Sequence, residues 1–248
     1  MKFVIPTYQR ADRVRTVGYL HDRCGIPFED IVLCLQDEAE IPAYRANFPE
    51  CPISFRPGIN GAMNSNNAIL YARKHWPGQD FILLDDDFEY ILLLEKEGNR
   101  KTAVFGPLEG EKFLETIDVF FKIARGSGTT VWGLTVPDNP FFMRLRVKRN
   151  ALMTGCFLGF VSGGGDVLMD ESYFMKYDYE MILRLWQTGH KTLRFCMIAP
   201  HTNNYAPGGC YESRKAHTEK EFVDKLLEKY AGLIRRDPKD PGEIKSLV

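Results

Sequence analysis

The stretch Phe81-Ile82-Leu83-Leu84-Asp85-Asp86-Asp87 decides how the rest of the chain is read. Four consecutive apolar residues describe a strand buried on both faces. Three carboxylates then arrive where that strand ends. Like charges on one turn raise one another's pKa and oppose folding unless something neutralises them. A divalent cation does so most simply, and hard carboxylate oxygens suit magnesium, manganese or calcium. In open α/β sheets, ligands bind just beyond the carboxyl ends of the strands. Position and chemistry therefore agree on a metal-assisted site near Asp85 and Asp87. A solvated acidic turn is the plainer reading of the same residues.

The flanking sequence repeats the pattern of apolar strand, polar end and helix. Phe3 to Pro6 reads as a first strand ending in Thr7-Tyr8-Gln9-Arg10, with a helix from about Asp12 to Cys24. Ile31 to Leu35 is a second strand ending in Gln36-Asp37-Glu38, followed by a short helix over Glu40 to Phe48. Ile53 to Phe55 is a third, and Ala62 to His75 a helix closed by Pro77-Gly78. Strands alternating with helices imply right-handed βαβ units, a mostly parallel sheet flanked by helices, and polar strand-ends facing one crevice. Further on, Lys112 to Arg125 and Asp178 to Thr188 read as helices, and Thr130 to Val136, Phe157 to Val161 and Lys191 to Ile198 as strands. Thr218 to Ile234 is a last helix, and the charged tail after Arg235 is expected to be loose. No linker divides the chain, so residues 1–248 read as one α/β domain with halves at 1–100 and 101–248.

With 248 residues, 44% hydrophobic and 26% charged, the composition is that of a globular protein with a substantial core. A formal net charge of −1 gives no global basic field toward nucleic acid. A local one exists: Arg144, Arg146, Lys148 and Arg149 alternate with Leu145 and Val147, as on a strand or hairpin. Such a cluster suits the phosphates of a polymeric acceptor, or else protects a solvated sheet edge. Six cysteines form no CxxC pair and no zinc-ligand spacing, which points to a reducing, cytoplasmic compartment. No run is long enough to span a membrane, and the N-terminus reads as a core strand, not a leader.

The strand-ends Pro6-Thr7-Tyr8-Gln9-Arg10, Gln36-Asp37-Glu38, Asn60 to Asn67 and Asp85-Asp86-Asp87, in that order, resemble the GT-A glycosyltransferases, especially the inverting family-2-like enzymes. The resemblance implies a Rossmann-like GT-A fold and a nucleotide-sugar donor, by default a UDP-sugar. The donor would be held by Pro6, Thr7, Tyr8, Arg10, Gln36, Asp37, Asn60, Gly61, Asn64, Asn67, Asp85 and Asp86. It also implies Mn2+ or Mg2+ on Asp85 and Asp87, and a histidine after the late strand, here His201, completing the metal site. A lone histidine is otherwise a packing residue. Arg214, beside the loop containing Gly208-Gly209, would close over the diphosphate. One asparagine is also expected simply to cap the helix near Ala62.

In the second half, Asp170-Glu171-Ser172-Tyr173-Phe174 and Asp178-Tyr179-Glu180 to Arg184, with Gly189 after them, resemble the family's acceptor-side segment. Tyr177-Asp178 stands where the family has Glu-Asp. That leaves Asp178 as the base and Glu180 as its companion, or Asp178 as only a helix cap. A candidate base without a clear nucleophile implies inversion at the sugar. The opening Ile-Pro-Thr-Tyr-Gln-Arg-Ala-Asp (5–12) is similar to the TET/JBP-associated glycosyltransferases, which include phage enzymes and relatives of the base J glucosyltransferase. That similarity implies a 5-hydroxymethylpyrimidine in DNA, 5-hydroxymethylcytosine among them, as acceptor. The base would be flipped out of the duplex, with Phe141, Phe142 and Trp132 available for stacking and Arg144, Arg146, Lys148 and Arg149 on the phosphates.

Three other readings stay open at this level. A protein or glycan is a possible acceptor for the same enzyme. A non-catalytic nucleotide-sugar-binding module would need no base. A phosphatase of the haloacid dehalogenase type also carries a DxD strand-end, but that motif is followed by Thr or Val where this chain has Glu89.

Overall fold

The computed structural model describes residues 1–98, 103–134, 142–202, 209, 218–240 and 242–247. The first four strands, β1 (Lys2–Pro6), β2 (Ile31–Leu35), β3 (Ile53–Phe55) and β4 (Phe81–Leu84), fall where the apolar runs predict them. β5 (Phe88–Lys96) and β6 (Val104–Pro107) follow, then β7 (Thr129–Leu134), β8 (Val147–Arg149), β9 (Phe157–Phe160), β10 (Lys191–Phe195) and β11 (Ile198–Thr202). The main sheet has the order β3-β2-β1-β4-β9-β7-β10-β8, and six of its eight strands run one way, β9 and β8 being reversed. The expectation of a mostly parallel α/β sheet flanked by helices is met.

The alternation along each central strand explains why the runs are apolar throughout. Phe3, Ile5, Ile31, Leu33, Leu35, Ile82 and Leu84 point to one core. There they meet Val17 of α1 (Arg15–Gly18) and Phe113, Ile117 and Phe121 of α4 (Gly110–Gly126). Val4, Val32, Cys34, Phe81 and Leu83 point to the other, against α3 (Gly61–His75) and α5 (Tyr177–Gln187). A strand covered on both faces has no solvent side to mark with polar residues. α2 (Ile41–Asn47) lies between β2 and β3 in the chain, and α6 (Glu219–Lys229) joins α5 in a third apolar cluster.

Several boundaries differ from the sequence reading. The first helix starts only at Arg15 and continues as a π-helical turn, Tyr19–Arg23, because Thr7 to Val14 is taken up by the loop that delivers Arg10. The run Lys191 to Ile198 is two strands: β10 stays in the main sheet, while β11 crosses to a second sheet of order β11-β5-β6. The tail expected to be loose pairs instead: β12 (Ile234–Arg236) and β13 (Ile244–Ser246) form an antiparallel ribbon whose Ile234 and Ile244 are buried beside α6. Among the described residues, no helix is long and apolar enough to cross a membrane.

One contact fixes the middle of the sheet. Trp132 on β7 lies opposite Gly159 on β9, and a Cβ at Gly159 would meet the indole at 2.0 Å. Trp132 is wholly buried among Phe120, Phe121, Phe157 and Phe195 and cannot swing away. Gly159→Ala is therefore expected to destabilise the fold by about 3 kcal/mol or more, since overpacking a tight core costs roughly 1–3 kcal/mol and more where nothing can yield. Urea denaturation reads the change, and an unaltered midpoint would contradict it.

Candidate active site

The acidic turn lies where the sequence places it, beyond the carboxyl end of β4. Asp85 leaves the strand with its N–H on the Cys156 carbonyl at 2.9 Å, across the start of β9, and its own carbonyl accepts from Thr16 Oγ1 at 2.7 Å. Asp86 turns toward the β1 loop. Its Oδ2 accepts from Thr7 Oγ1 at 2.6 Å, and its Oδ1 is paired with Arg10 Nη1 at 2.5 Å. The same guanidinium nitrogen lies 3.3 Å from Asp87 Oδ2. Thr7, Arg10, Asp86 and Asp87 are all buried. Burial by itself works against the Arg10 charge, and Asp86 and Asp87 beside it more than reverse that, so the guanidinium is held firmly protonated.

Part of the neutralisation assigned to a metal from sequence thus comes from Arg10, which touches Asp86 and Asp87. One cation among three acids leaves negative charge uncompensated, and it collects at Asp85. Among the described residues, the Asp85 carboxylate accepts no hydrogen bond and has no ion pair. Its pKa is pushed up to about 8, chiefly by burial, then by Asp87 and Asp86. Asp178 adds to the same crowding. Its Oδ2 accepts from the Gly155 amide at 2.7 Å and its Oδ1 from the Tyr179 amide at 2.8 Å, which sets it against the strand start that pairs with Asp85. A Cβ at Gly155 would sit 3.3 Å from that of Asp178, so the close approach depends on glycine. Burial raises the Asp178 pKa in spite of these amides.

Two neighbouring aspartates, Asp85 and Asp87, fit Mn2+ or Mg2+, ions that take one or two protein carboxylates and draw their other ligands from water and phosphate, and whose charge would relieve the crowding at Asp85. Among the described residues, no three His, Cys, Asp or Glu form a ready-made cage. His201 is accordingly not gathered with Asp85 and Asp87. It lies on β11 opposite Tyr90, with the two rings stacked 4.5 Å apart.

Glu180 is also not brought to the cluster. Residues two apart on a helix face different ways, and while Asp178 faces Gly155, Glu180 turns to α6. There it is fully buried, accepting from Tyr230 Oη at 2.7 Å and Lys229 Nζ at 2.9 Å, with Arg184 Nε at 3.3 Å. It is a packing acid, and the companion role expected for it has no geometry behind it.

The other residues expected from sequence to hold a donor lie at or near the same end of the sheet. Pro6 closes β1 beside Cys34, and Tyr8 follows, its carbonyl accepting from the Gly209 amide at 2.8 Å. Gln36 is half-buried at the end of β2, and its Oε1 has no hydrogen bond among the described residues. Asp37 is exposed and caps a short turn through Ala39. Asn60 caps α3 through the Met63 amide, with Gly61 as the first helical residue, and donates to the Glu171 carbonyl at 2.9 Å. Asn67 is spent on Ser54 and the Leu35 carbonyl, and Asn66 on Met169 and Glu171. Asn64 donates to the Thr7 carbonyl at 3.1 Å while its buried Oδ1 has no partner among the described residues. It is the asparagine with an acceptor in reserve. Arg214 and Phe141 lie outside the described residues.

The basic residues occupy the far edge of the sheet. Lys148 and Arg149 are on β8, Val147 pairs with Phe195 at the end of β10, and Arg144 and Arg146 continue the pairing through Cys196. Arg144 to Val147 therefore stand at the same end as Asp85. Arg146 and Arg149 are exposed beside exposed Phe142 and Leu145, and among the described residues no carboxylate pairs with Arg146, Lys148 or Arg149. Trp132 is core and unavailable for stacking.

Sequence reasoning missed Tyr44. Wholly buried on α2, it holds Thr7 Oγ1 at 2.8 Å and the Arg10 amide at 3.1 Å through its hydroxyl, fixing the β1 loop. Glu171, expected on the acceptor side, instead joins Arg56 at 3.0 Å to Asn66. Neither set of contacts has a local signal, since each partner is remote in sequence.

A family model described as TET-Associated Glycosyltransferase matches residues 1–205. No curated protein matches the chain. Among solved structures it is similar to S. aureus TarS 1-349, with 13% identity and a TM-score of 0.51 over 92% of this chain and 66% of that one. It is also similar to TarS 1-349 in complex with UDP, with 14% identity and a TM-score of 0.53 over 92% and 72%. The chain thus spans about two thirds of the length of these neighbours, and at such identity the likeness is one of fold.

The crowding at Asp85 has a measurable consequence. An ordinary unfolded aspartate has a pKa of about 3.9, and the folded value is about 8. Between them the folded state binds more protons than the unfolded one, so stability falls as pH rises through that window. Asp85→Asn removes the effect. Without divalent cation, the variant is expected to melt several degrees or more above the wild type at pH 8.5 and close to it at pH 4.5. Equal differences at both pH values would refute the assignment.

Proposed function

The chain belongs to the TET-associated glycosyltransferase family and is a glycosyltransferase. From that premise we propose a metal-dependent, inverting transferase that moves a sugar from a nucleotide-sugar, a UDP-sugar first, to the hydroxymethyl group of a 5-hydroxymethylpyrimidine in DNA. The observation that carries this reading is the acidic turn Asp85-Asp86-Asp87 at the end of β4, with Asp178 near enough to add to the charge crowding on Asp85. The UDP in the TarS neighbour supports the choice of nucleotide.

Asp85 and Asp87 would hold the Mn2+ or Mg2+, which supplies positive charge for the departing diphosphate. Arg10 keeps Asp86 and Asp87 in place and lowers the repulsion that holding two acids together entails. The β1 loop, the end of β2 and Asn64 surround the donor. Asp178 accepts the proton of the acceptor hydroxyl. Its two amide bonds leave lone pairs for that role, and its raised pKa makes it a better base than an exposed aspartate. As the acceptor oxygen bonds to the sugar C1, the C1–O bond to the diphosphate breaks with its electron pair. Attack from the face opposite the leaving group inverts C1.

The test is incubation with Mn2+, a panel of nucleotide-sugars, and DNA with and without 5-hydroxymethylcytosine, followed by mass spectrometry of the nucleosides. A hexosylated nucleoside that depends on the hydroxymethyl group and disappears in Asp85→Asn and Asp178→Asn is expected. Transfer only to a protein or glycan would overturn the DNA acceptor, and a retained anomer would overturn inversion.

The basic edge supports a polymeric acceptor. Four strand spacings separate β4 from β8, about 19 Å, or about five to six base steps along a duplex at 3.4 Å each. Arg146→Ala with Arg149→Ala is expected to weaken DNA binding and to flatten the log–log salt dependence by roughly two. Donor affinity should be unaffected. An unchanged salt slope would remove these residues from the interface.

A further inference from the structure

Asp178 is gripped from both sides by a part of the chain beyond the residues that the family model matches. Two residues before it, Lys176 enters α5 in the left-handed region, φ 58°, a conformation that an ordinary side chain holds only when its surroundings impose it. Those surroundings are C-terminal. Lys176 Nζ lies 2.6 Å from Glu243 Oε1 and 3.1 Å from Glu219 Oε2, with only 11% of its side chain exposed. Glu219 opens α6, and Glu243 immediately precedes β13. Burial works against the Lys176 charge, and Glu243, Glu219 and Asp178 more than restore it. Two residues after Asp178, Glu180 is held by Lys229 and Tyr230, also C-terminal. Between these grips, Tyr173, Met175 and Leu183 pack on Phe222, Val223, Leu226, Ile234 and Ile244.

We infer that α6 and the β12–β13 ribbon form a positioning clamp for the base, with Lys176 as its positioning residue: the Glu219–Lys176–Glu243 ion pairs set where the Asp178 carboxylate stands. The inference rests on the reading of Asp178 as base. The physical logic is leverage. The Asp178 carboxylate must meet the Gly155 amide at 2.7 Å and face Asp85. Among the described residues no hydrogen bond or ion pair joins Gly155 or Asp85 to α6 or the β12–β13 ribbon, so loosening those elements moves Asp178 relative to the donor site while leaving the donor contacts of β1 to β4 alone.

The experiment compares full-length wild type, Lys176→Met, Glu243→Gln, Lys176→Arg and Asp178→Asn. It has two readouts. One is hydrogen–deuterium exchange of the segment containing the Gly155 amide, which needs no substrate. The other is kcat and donor KM for UDP-glucose with DNA containing 5-hydroxymethylcytosine. Lys176→Met and Glu243→Gln are expected to lose protection at Gly155 and about tenfold to a hundredfold in kcat, the scale of a small misplacement, with donor KM within about twofold. Lys176→Arg, which keeps both ion pairs, should recover most of both. A folded Lys176→Met or Glu243→Gln with unchanged Gly155 protection and kcat overturns the clamp while an inactive Asp178→Asn leaves the base in place. A fully active Asp178→Asn overturns base and clamp together. Glu243 is on the surface, so its variant keeps the test decisive if Lys176→Met fails to fold.

Discussion

The pairing of Arg10 with Asp86 is the constraint on which the site depends. A strand that ends in three carboxylates can fold with them close together only if some of that charge is met from within the chain. Arg10 meets it from the loop after β1, the strand next to β4 in the sheet. Asp86 is committed to Arg10 and Thr7, and the same guanidinium reaches Asp87 at 3.3 Å. Among the described residues Asp85 is the acid of the turn that no hydrogen bond or ion pair meets, and the repulsion of the other two falls on it.

The pairing of Arg10 with Asp86 is reinforced at a distance. Tyr44 reaches Thr7 and the Arg10 backbone from α2, and Asn64 reaches the Thr7 carbonyl from α3. The loop after β1 is therefore fixed by the chain's own contacts from two helices.

The strands β1 to β4 and the helix α3 were legible because burial on both faces leaves an unbroken apolar run, and because Asn60 and Pro77-Gly78 punctuate the helix. The acidic turn was legible because its position at a strand end gave it meaning. What escaped is long-range pairing. Nothing near Arg10 says that it answers Asp86, 76 residues on. Nothing near Glu180 announces Lys229 and Tyr230, so two acids two apart on one helix looked like partners when they face different neighbours. The break between β10 and β11 escaped because Phe195 to Ile198 is apolar throughout, and hydrophobicity does not record a change of sheet.

That break has a structural role of its own. β5 leaves directly from Asp87, and β11 returns antiparallel to it, with Thr202 opposite Phe88. The second sheet is thus joined to the first at the acidic turn by one strand and at the end of β10 by the other. The acids sit at the junction of two sheets, between the donor-side loops of β1 to β3 and the basic edge of β8.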